Sequence, residues 1–186
     1  PVTHHPLFPL KLVASLTNYQ PFPTINADIQ DYINIHLLEP KQTLFDRINR
    51  HPFSSDTQRQ CKALIQANPF LMLAIDHNRE TLLHHASASG HLSFVTFLVE
   101  SSTPTIINGQ DKTGSTPLHL AAEYGHLEVI QCLIRGGADA NKADKNGDRP
   151  INDAQINNHV EVIRELMRAG GGTHLTIDED YPPDWF

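Results

Sequence analysis

Four groups of residues have the side-chain types that chemistry uses. Thr116-Pro117-Leu118-His119 sets a hydroxyl three positions from an imidazole, the raw material of a nucleophile and its base. His91, His126 and His159 recur at similar intervals, and imidazoles in register can ligate a metal. Cys61 and Cys132 offer thiols, and Asp178, Glu179, Asp180 and Asp184 offer carboxylates to a cation. Each pattern falls short. A Cys/His hydrolase needs an exposed thiol of lowered pKa beside an imidazole, and neither cysteine stands in a CxxC or other metal spacing. The carboxylates lack the alternating D-x-D-x-D-G of a calcium loop. His84-His85 and His4-His5 are adjacent pairs whose rings point in different directions on a helix or strand. Residues 1–75 contain no Gly-rich phosphate loop and no G-x-S-x-G. No catalytic residue, metal or cofactor is expected, and the chain reads as a non-enzyme.

Composition narrows the partners. The 186 residues carry a formal charge of -7, with 14 Lys and Arg scattered from Lys11 to Arg168 and no basic run. Polyphosphate binding needs clustered positive charge, so nucleic acid is not an expected partner. The longest apolar stretch, Pro69–Ile75, is far short of the roughly 20 residues that a spanning helix needs, so no membrane is expected either. Two lone thiols favour a reducing, cytoplasmic compartment. The chain is 39% hydrophobic, enough for a real core.

The elements that must position these residues repeat. DKTGSTPLHLAAEYGHLEVIQCLIRGGADANKA starts at Asp111, DKNGDRPINDAQINNHVEVIRELMRAGG at Asp144, and DHNRETLLHHASASGHLSFVTFLVESS at Asp76. The three aspartates are 35 and then 33 residues apart. Within the middle unit, Asp111–Gly114 is a turn with Gly114 free to take positive φ. Thr116 can cap the next helix, with Pro117 at its first position, where no N–H is missed. Leu118, Ala121 and Ala122 make a small apolar stripe, and Gly125 ends that helix. Leu127, Val129, Ile130, Leu133 and Ile134 give a second helix its buried face, and Gly136-Gly137 stops it.

With its period near 33 and T-P-L-H-x-A in the middle unit, the segment resembles the ankyrin repeat. The resemblance implies an all-α solenoid of helix-turn-helix repeats joined by hairpin loops. It also implies that His119 exchanges hydrogen bonds with Thr116 and nearby backbone, fixing the hairpin on the helix, and that His84 does the same one unit earlier. Family spacing sets repeat-related side chains about 10 Å apart, too far for His91, His126 and His159 to share a zinc with bonds of roughly 2 Å. Cys132 aligns with a core leucine of the pattern, and Cys61 falls on the inward face of its helix.

Four segments follow: an extended stretch at 1–24, a helical cap with a degenerate repeat at 25–75, three repeats at 76–110, 111–143 and 144–172, and an acidic aromatic tail at 173–186. In the first repeat Leu82 replaces the proline, and the Thr103–Ile107 loop carries two extra residues. In the last, Arg149, Asn152 and Asn158 replace Thr, His and Gly, and this polar unit is expected to act as the C-terminal cap. Upstream, Asp28–Leu38 should form an amphipathic helix with Ile29, Tyr32, Ile33, His36 and Leu37 on one face, packed across the end of the stack. Thr43-Leu44-Phe45 should open the next helix, and Ser55 with Gln58 should form a capping box for the helix through Cys61, Leu64 and Ile65, broken at Asn68-Pro69. In the tail, Tyr181, Trp185 and Phe186 are candidates to dock on the stack or on a partner.

Carried onto this sequence, the ankyrin binding surface comprises hairpin tips and the exposed face of the first helices. The middle unit places Lys112, Thr113, Ser115, Glu123 and Tyr124 there. The first adds His77, Asn78, Glu80, Ala88 and Ser89, and the last Lys145, Asn146, Asp148, Ile156 and Asn157. Tyr124 stands out because an amphipathic ring gives large contact area at low entropic cost. The implied function is recognition of another protein by a monomer. The alternative is the substrate-binding arm of a larger bacterial effector or enzyme whose catalytic domain is absent from this chain; the Asn, His, Ile and Gln content suits a bacterial protein, and a secreted effector would act in a host cytosol.

Overall fold

A computed structural model describes residues 25–49 and 53–170, without the side chains of 25–29 and 32. The expectations for 1–24, for His4-His5, for the Ile29 and Tyr32 side chains and for the tail at 173–186 lie outside the described residues. The remainder is helical: α1 (Ile25–His36), α2 (Leu38–Ile48), α3 (Ser55–Ala67), a 3₁₀ turn (Pro69–Leu73), α4 (Leu82–Ala88), α5 (Leu92–Glu100), α6 (Pro104–Ile107), α7 (Pro117–Glu123), α8 (Leu127–Arg135), α9 (Pro150–Ile156) and α10 (Val160–Arg168). Among the described residues the only β pairing is one bridge between Ile75 and Thr81. None of these helices is long and apolar enough to cross a membrane.

Three antiparallel pairs, α4/α5, α7/α8 and α9/α10, stack in chain order. Inner helices α4, α7 and α9 pack in sequence, and so do outer helices α5, α8 and α10. Small residues permit the close approach of the inner row: Ala86, Ala121, Ala122 and Ala154 are fully buried. Phe94, Leu98, Ile130, Leu133, Val162 and Leu166 fill the space between the rows. Cys61 and Cys132 are free thiols inside this core, and burial pushes the Cys61 thiol up, away from the thiolate.

Glycines mark where one repeat rests on the next. Gly90 and Gly125 both take left-handed φ, at 69° and 73°. A Cβ at Gly90 would lie 2.7 Å from the His126 ring, and one at Gly125 would lie 2.6 Å from His159 Nδ1. The same position in the last unit is Asn158, also left-handed at 57°. Asparagine bears left-handed backbone strain better than most residues other than glycine.

The N-terminal region departs from the sequence reading in four places. Helix α2 opens at Leu38 rather than at Thr43, because Pro40 sits in its first turn, where a missing N–H costs nothing. Ser54, not Ser55, caps α3, its Oγ accepting from Thr57 N–H at 3.1 Å while the two hydroxyls meet at 2.9 Å. On α1 and just after it, the buried positions are Gln30, Ile33 and Leu37, whereas His36 is exposed. The Gln30 side-chain amide donates to Leu73 carbonyl oxygen, which turns this face toward the 3₁₀ turn. Finally, the two extra residues after α5 do not form a plain loop. Pro104 starts the single turn α6, which buries Ile107. Helix α1 packs on α2 and the 3₁₀ turn, and α2 packs on α4, so these helices cover the N-terminal side of the first repeat.

Candidate functional site

The Thr116–His119 pair is sealed inside the protein, each residue 1% exposed. His119 Nδ1 accepts from the Thr116 N–H at 3.1 Å and from its hydroxyl at 2.8 Å. Its Nε2–H donates to the Asp148 carbonyl at 3.1 Å, in the hairpin of the next repeat. His84 repeats the pattern with Thr81 and the Ser115 carbonyl. Burial holds His119 below the ordinary histidine range and His84 down to about 4, so both rings stay neutral and Nδ1 keeps its lone pair. These are joints between repeats, with no room for a substrate. In the last repeat Asn152 Oδ1 takes over the cap, accepting from Arg149 N–H at 2.9 Å.

The recurrent histidines are joints as well. His91, His126 and His159 each place Nε2 on a carbonyl of the preceding unit: Ile48 at 3.0 Å, Ala88 at 3.0 Å and Glu123 at 2.9 Å. Each ring reaches backward along the stack to its own carbonyl, so the three Nε2 atoms are directed at separate acceptors.

The hairpin tips form one continuous edge. The aspartate opening each unit uses Oδ1 to accept two backbone N–H groups, two and four residues on: Asp76 from Asn78 and Glu80, Asp111 from Thr113 and Ser115, Asp144 from Asn146 and Asp148. Successive tips then pair, Lys112 N–H with Asn78 carbonyl at 2.8 Å and Lys145 N–H with Thr113 carbonyl at 3.0 Å. Along this edge the side chains of His77, Asn78, Lys112, Thr113, Lys145 and Asn146 are exposed. At the ends of the inner helices Glu123, Tyr124, Ile156 and Asn157 are exposed too, Tyr124 at 55%. Glu80, Ser115, Asp148, Ala88 and Ser89 are half-buried. Of these, Ser115 is engaged with Thr113 and Glu80 with His85, so they are less free than the sequence suggests.

Two features were not anticipated. Asp153 lies on α9 facing Glu123, Asp144 and Asp148, and burial together with those three carboxylates pushes its carboxyl up to about 7. A raised carboxyl pKa means the folded state holds this proton more tightly than the unfolded chain does. The associated stability is present at acid pH and is lost as pH rises through 7. Asp153→Asn is therefore expected to raise the melting temperature at pH 8 and change it little at pH 4. The gain is on the order of 1 kcal/mol once solvent screening is allowed for, measured by thermal denaturation at both pH values.

The second feature is a convergence of Asp76, Glu80 and His85, whose ligand-type atoms lie within 4.8 Å of one another. The three belong to the hairpin and inner helix of the first repeat. The signal was present in the sequence as a histidine nine residues after the hairpin aspartate, a place taken by Leu120 and Asp153 in the other units. Spacing alone does not reveal it, because the hairpin folds Asp76 back over α4. A shallow cleft of 590 Å³ between α2 and α3, lined by Pro40, Ala63 and Leu64, holds Glu39 and Arg47 but no imidazole or thiol.

Residues 103–178 match the family model of ankyrin repeats in three copies. Among curated proteins the chain is 35% identical to rat diacylglycerol kinase zeta over 67 residues, 36% of this chain and 7% of that protein. It is 35% identical to the rice probable E3 ubiquitin-protein ligase XBOS32 over 85 residues, 45% of this chain and 17% of that protein. It is 38% identical to alpha-latrotoxin-Lg1a of Latrodectus geometricus over 111 residues, 56% of this chain and 8% of that protein. The chain thus spans less than a fifth of the length of these relatives.

Proposed function

We propose that this chain, whose residues 103–178 match ankyrin repeats, recognises a partner protein through its hairpin tips and the exposed ends of its inner helices, without chemistry of its own. One observation carries this reading. Side chains at the repeat-defining positions are buried and bonded to neighbouring units, whereas those on the tip edge point into solvent. Tyr124 is the anchor of the proposed surface. Its ring stacks loosely with His126 at 6.4 Å, which limits its freedom before a partner arrives. Lys112 and Lys145 supply positive charge on the same edge, and the Lys145 ammonium donates to Lys112 carbonyl at 2.5 Å.

The test is a pull-down from eukaryotic cytosolic lysate with the wild type and a Lys112→Glu/Tyr124→Ala double variant. Both substitutions are at exposed positions, so the variant is expected to melt within a few degrees of the wild type. Loss of a captured partner, by at least about tenfold, is the expected result. A partner held equally by both would move the site away from this edge.

A second reading draws on the relatives, each a long protein of which the matching segment is a small share. On that reading the repeats hold a target for an activity located elsewhere in a longer polypeptide. Placement in a reducing cytoplasm is supported by two buried free thiols, whereas an effector role in a host cytosol has only composition behind it.

A further inference from the structure

We propose that Asp76, Glu80 and His85 bind a divalent transition-metal ion of the zinc type, fastening the hairpin of the first repeat to its inner helix. His85 Nε2 lies 3.1 Å from Glu80 Oε2 and 3.3 Å from Asp76 Oδ2. Donors bound to one tetrahedral zinc with bonds of roughly 2.0–2.1 Å stand about 3.3 Å apart, so these separations suit edges of such a coordination sphere. Two carboxylates and an imidazole leave a fourth position for water or a partner's side chain, and this mixed oxygen and nitrogen set suits zinc better than calcium.

The donors are held from outside the cluster. Asp76 commits Oδ1 to the N–H groups of Asn78 and Glu80, each at 2.8 Å, which leaves Oδ2 turned toward His85. His85 Nδ1 faces Asn49 Oδ1, an acceptor, at 2.9 Å, so Nδ1 carries the hydrogen. The edge-to-face contact with Phe45, centroids 5.0 Å apart, fixes the ring plane. With Nδ1 engaged by Asn49, Nε2 is directed at two carboxylate oxygens, an arrangement that a cation between them would satisfy. An imidazole whose second nitrogen is locked by an outer hydrogen bond is the usual form of a metal-ligating histidine.

The cluster is shielded without being closed, with His85 and Asp76 each 13% exposed and Glu80 23%. Asn49 and Phe45, at the end of α2, hold the His85 ring from outside, while Asp76, Glu80 and His85 all belong to the first repeat, so an ion here would close the hairpin onto α4. The charge of Asp76 also attracts Lys41, but that ammonium is held on Asn34 Oδ1 at 2.7 Å. The rival cation is a proton: an imidazolium would satisfy both carboxylates through one N–H.

The experiment titrates the full chain with zinc chloride by calorimetry and with cobalt(II) by visible absorption, for wild type and Glu80→Gln. His85→Gln serves as a second variant should Glu80→Gln fail to fold by circular dichroism. The wild type is expected to bind one more equivalent than either variant, or to bind at least about tenfold more tightly. It is also expected to show a zinc-dependent rise in melting temperature that the variants lack. Equal uptake by wild type and variants would assign the metal to other histidines of the chain and overturn the proposal. Absence of uptake by the wild type would overturn it in favour of the imidazolium.

Discussion

Leu133→Asp is expected to abolish the folded repeat array. Leu133 lies in the middle of α8 with no exposed surface. Helix α8 packs on α7 within its unit and on α5 and α10 in the units either side. Removing a buried leucine side chain costs about 2–5 kcal/mol in transfer and cavity terms. An unpaired carboxylate in its place adds several kcal/mol more, or binds a proton at comparable cost. Together these approach or exceed the roughly 5–15 kcal/mol that holds a domain of this size. A solenoid is stabilised by each unit and by its interfaces, so damage to the middle unit removes two interfaces at once. Circular dichroism should show most helical signal lost, and calorimetry should show no cooperative transition at the wild-type temperature. An unchanged melting temperature would contradict the placement of α8. Met167→Asp, at a position 48% exposed on α10, is the matched control and should be close to neutral.

The second large effect is expected from His119→Ala. The substitution leaves the Thr116 N–H without its acceptor, in a region where Thr116 is 1% exposed, and removes one of two donors to the Asp148 carbonyl, which keeps the Asp144 N–H at 2.8 Å. The orphaned buried N–H costs about 1–3 kcal/mol, to which loss of the ring adds a cavity and the lost bond to the next hairpin. A destabilisation of roughly 3–4 kcal/mol is therefore expected, read as a fall in denaturant midpoint with little change in m-value. His119→Asn should recover part of it, because Asn152 already performs the capping half of this role in the last unit. Equal losses from Asn and Ala would show that the bond to the next hairpin dominates.

These two predictions concern the parts of the molecule most legible in the sequence. Thr116-Pro117-Leu118-His119, Gly125 and the apolar spacing of Leu127–Ile134 are local signals, each acting within a few residues of itself. They specify a cap, a helix, a stop and a second helix before any distant contact forms. The degenerate region was read less well for the same reason. Around α2 and α3 two adjacent serines could each cap, and a proline could open a helix or break it. Long-range contacts with the 3₁₀ turn and α4 settled which happened. The tip residues were legible as solvent-facing positions of the pattern, but the engagement of Glu80 by His85 was not.

What the sequence determined by itself was the repeat: its period, its turn and cap chemistry, and the apolar faces that compel neighbours to stack. What only the tertiary structure decided was which side chains meet across those stacks. His85 reaches Asp76, Glu80 and Asn49, and Asp153 faces Glu123, Asp144 and Asp148. Local signals fix backbone conformation through interactions a few residues long. Convergence of charged groups depends on how the hairpin folds back over its helix and on how far each unit advances past the last, and no spacing along the chain encodes those distances.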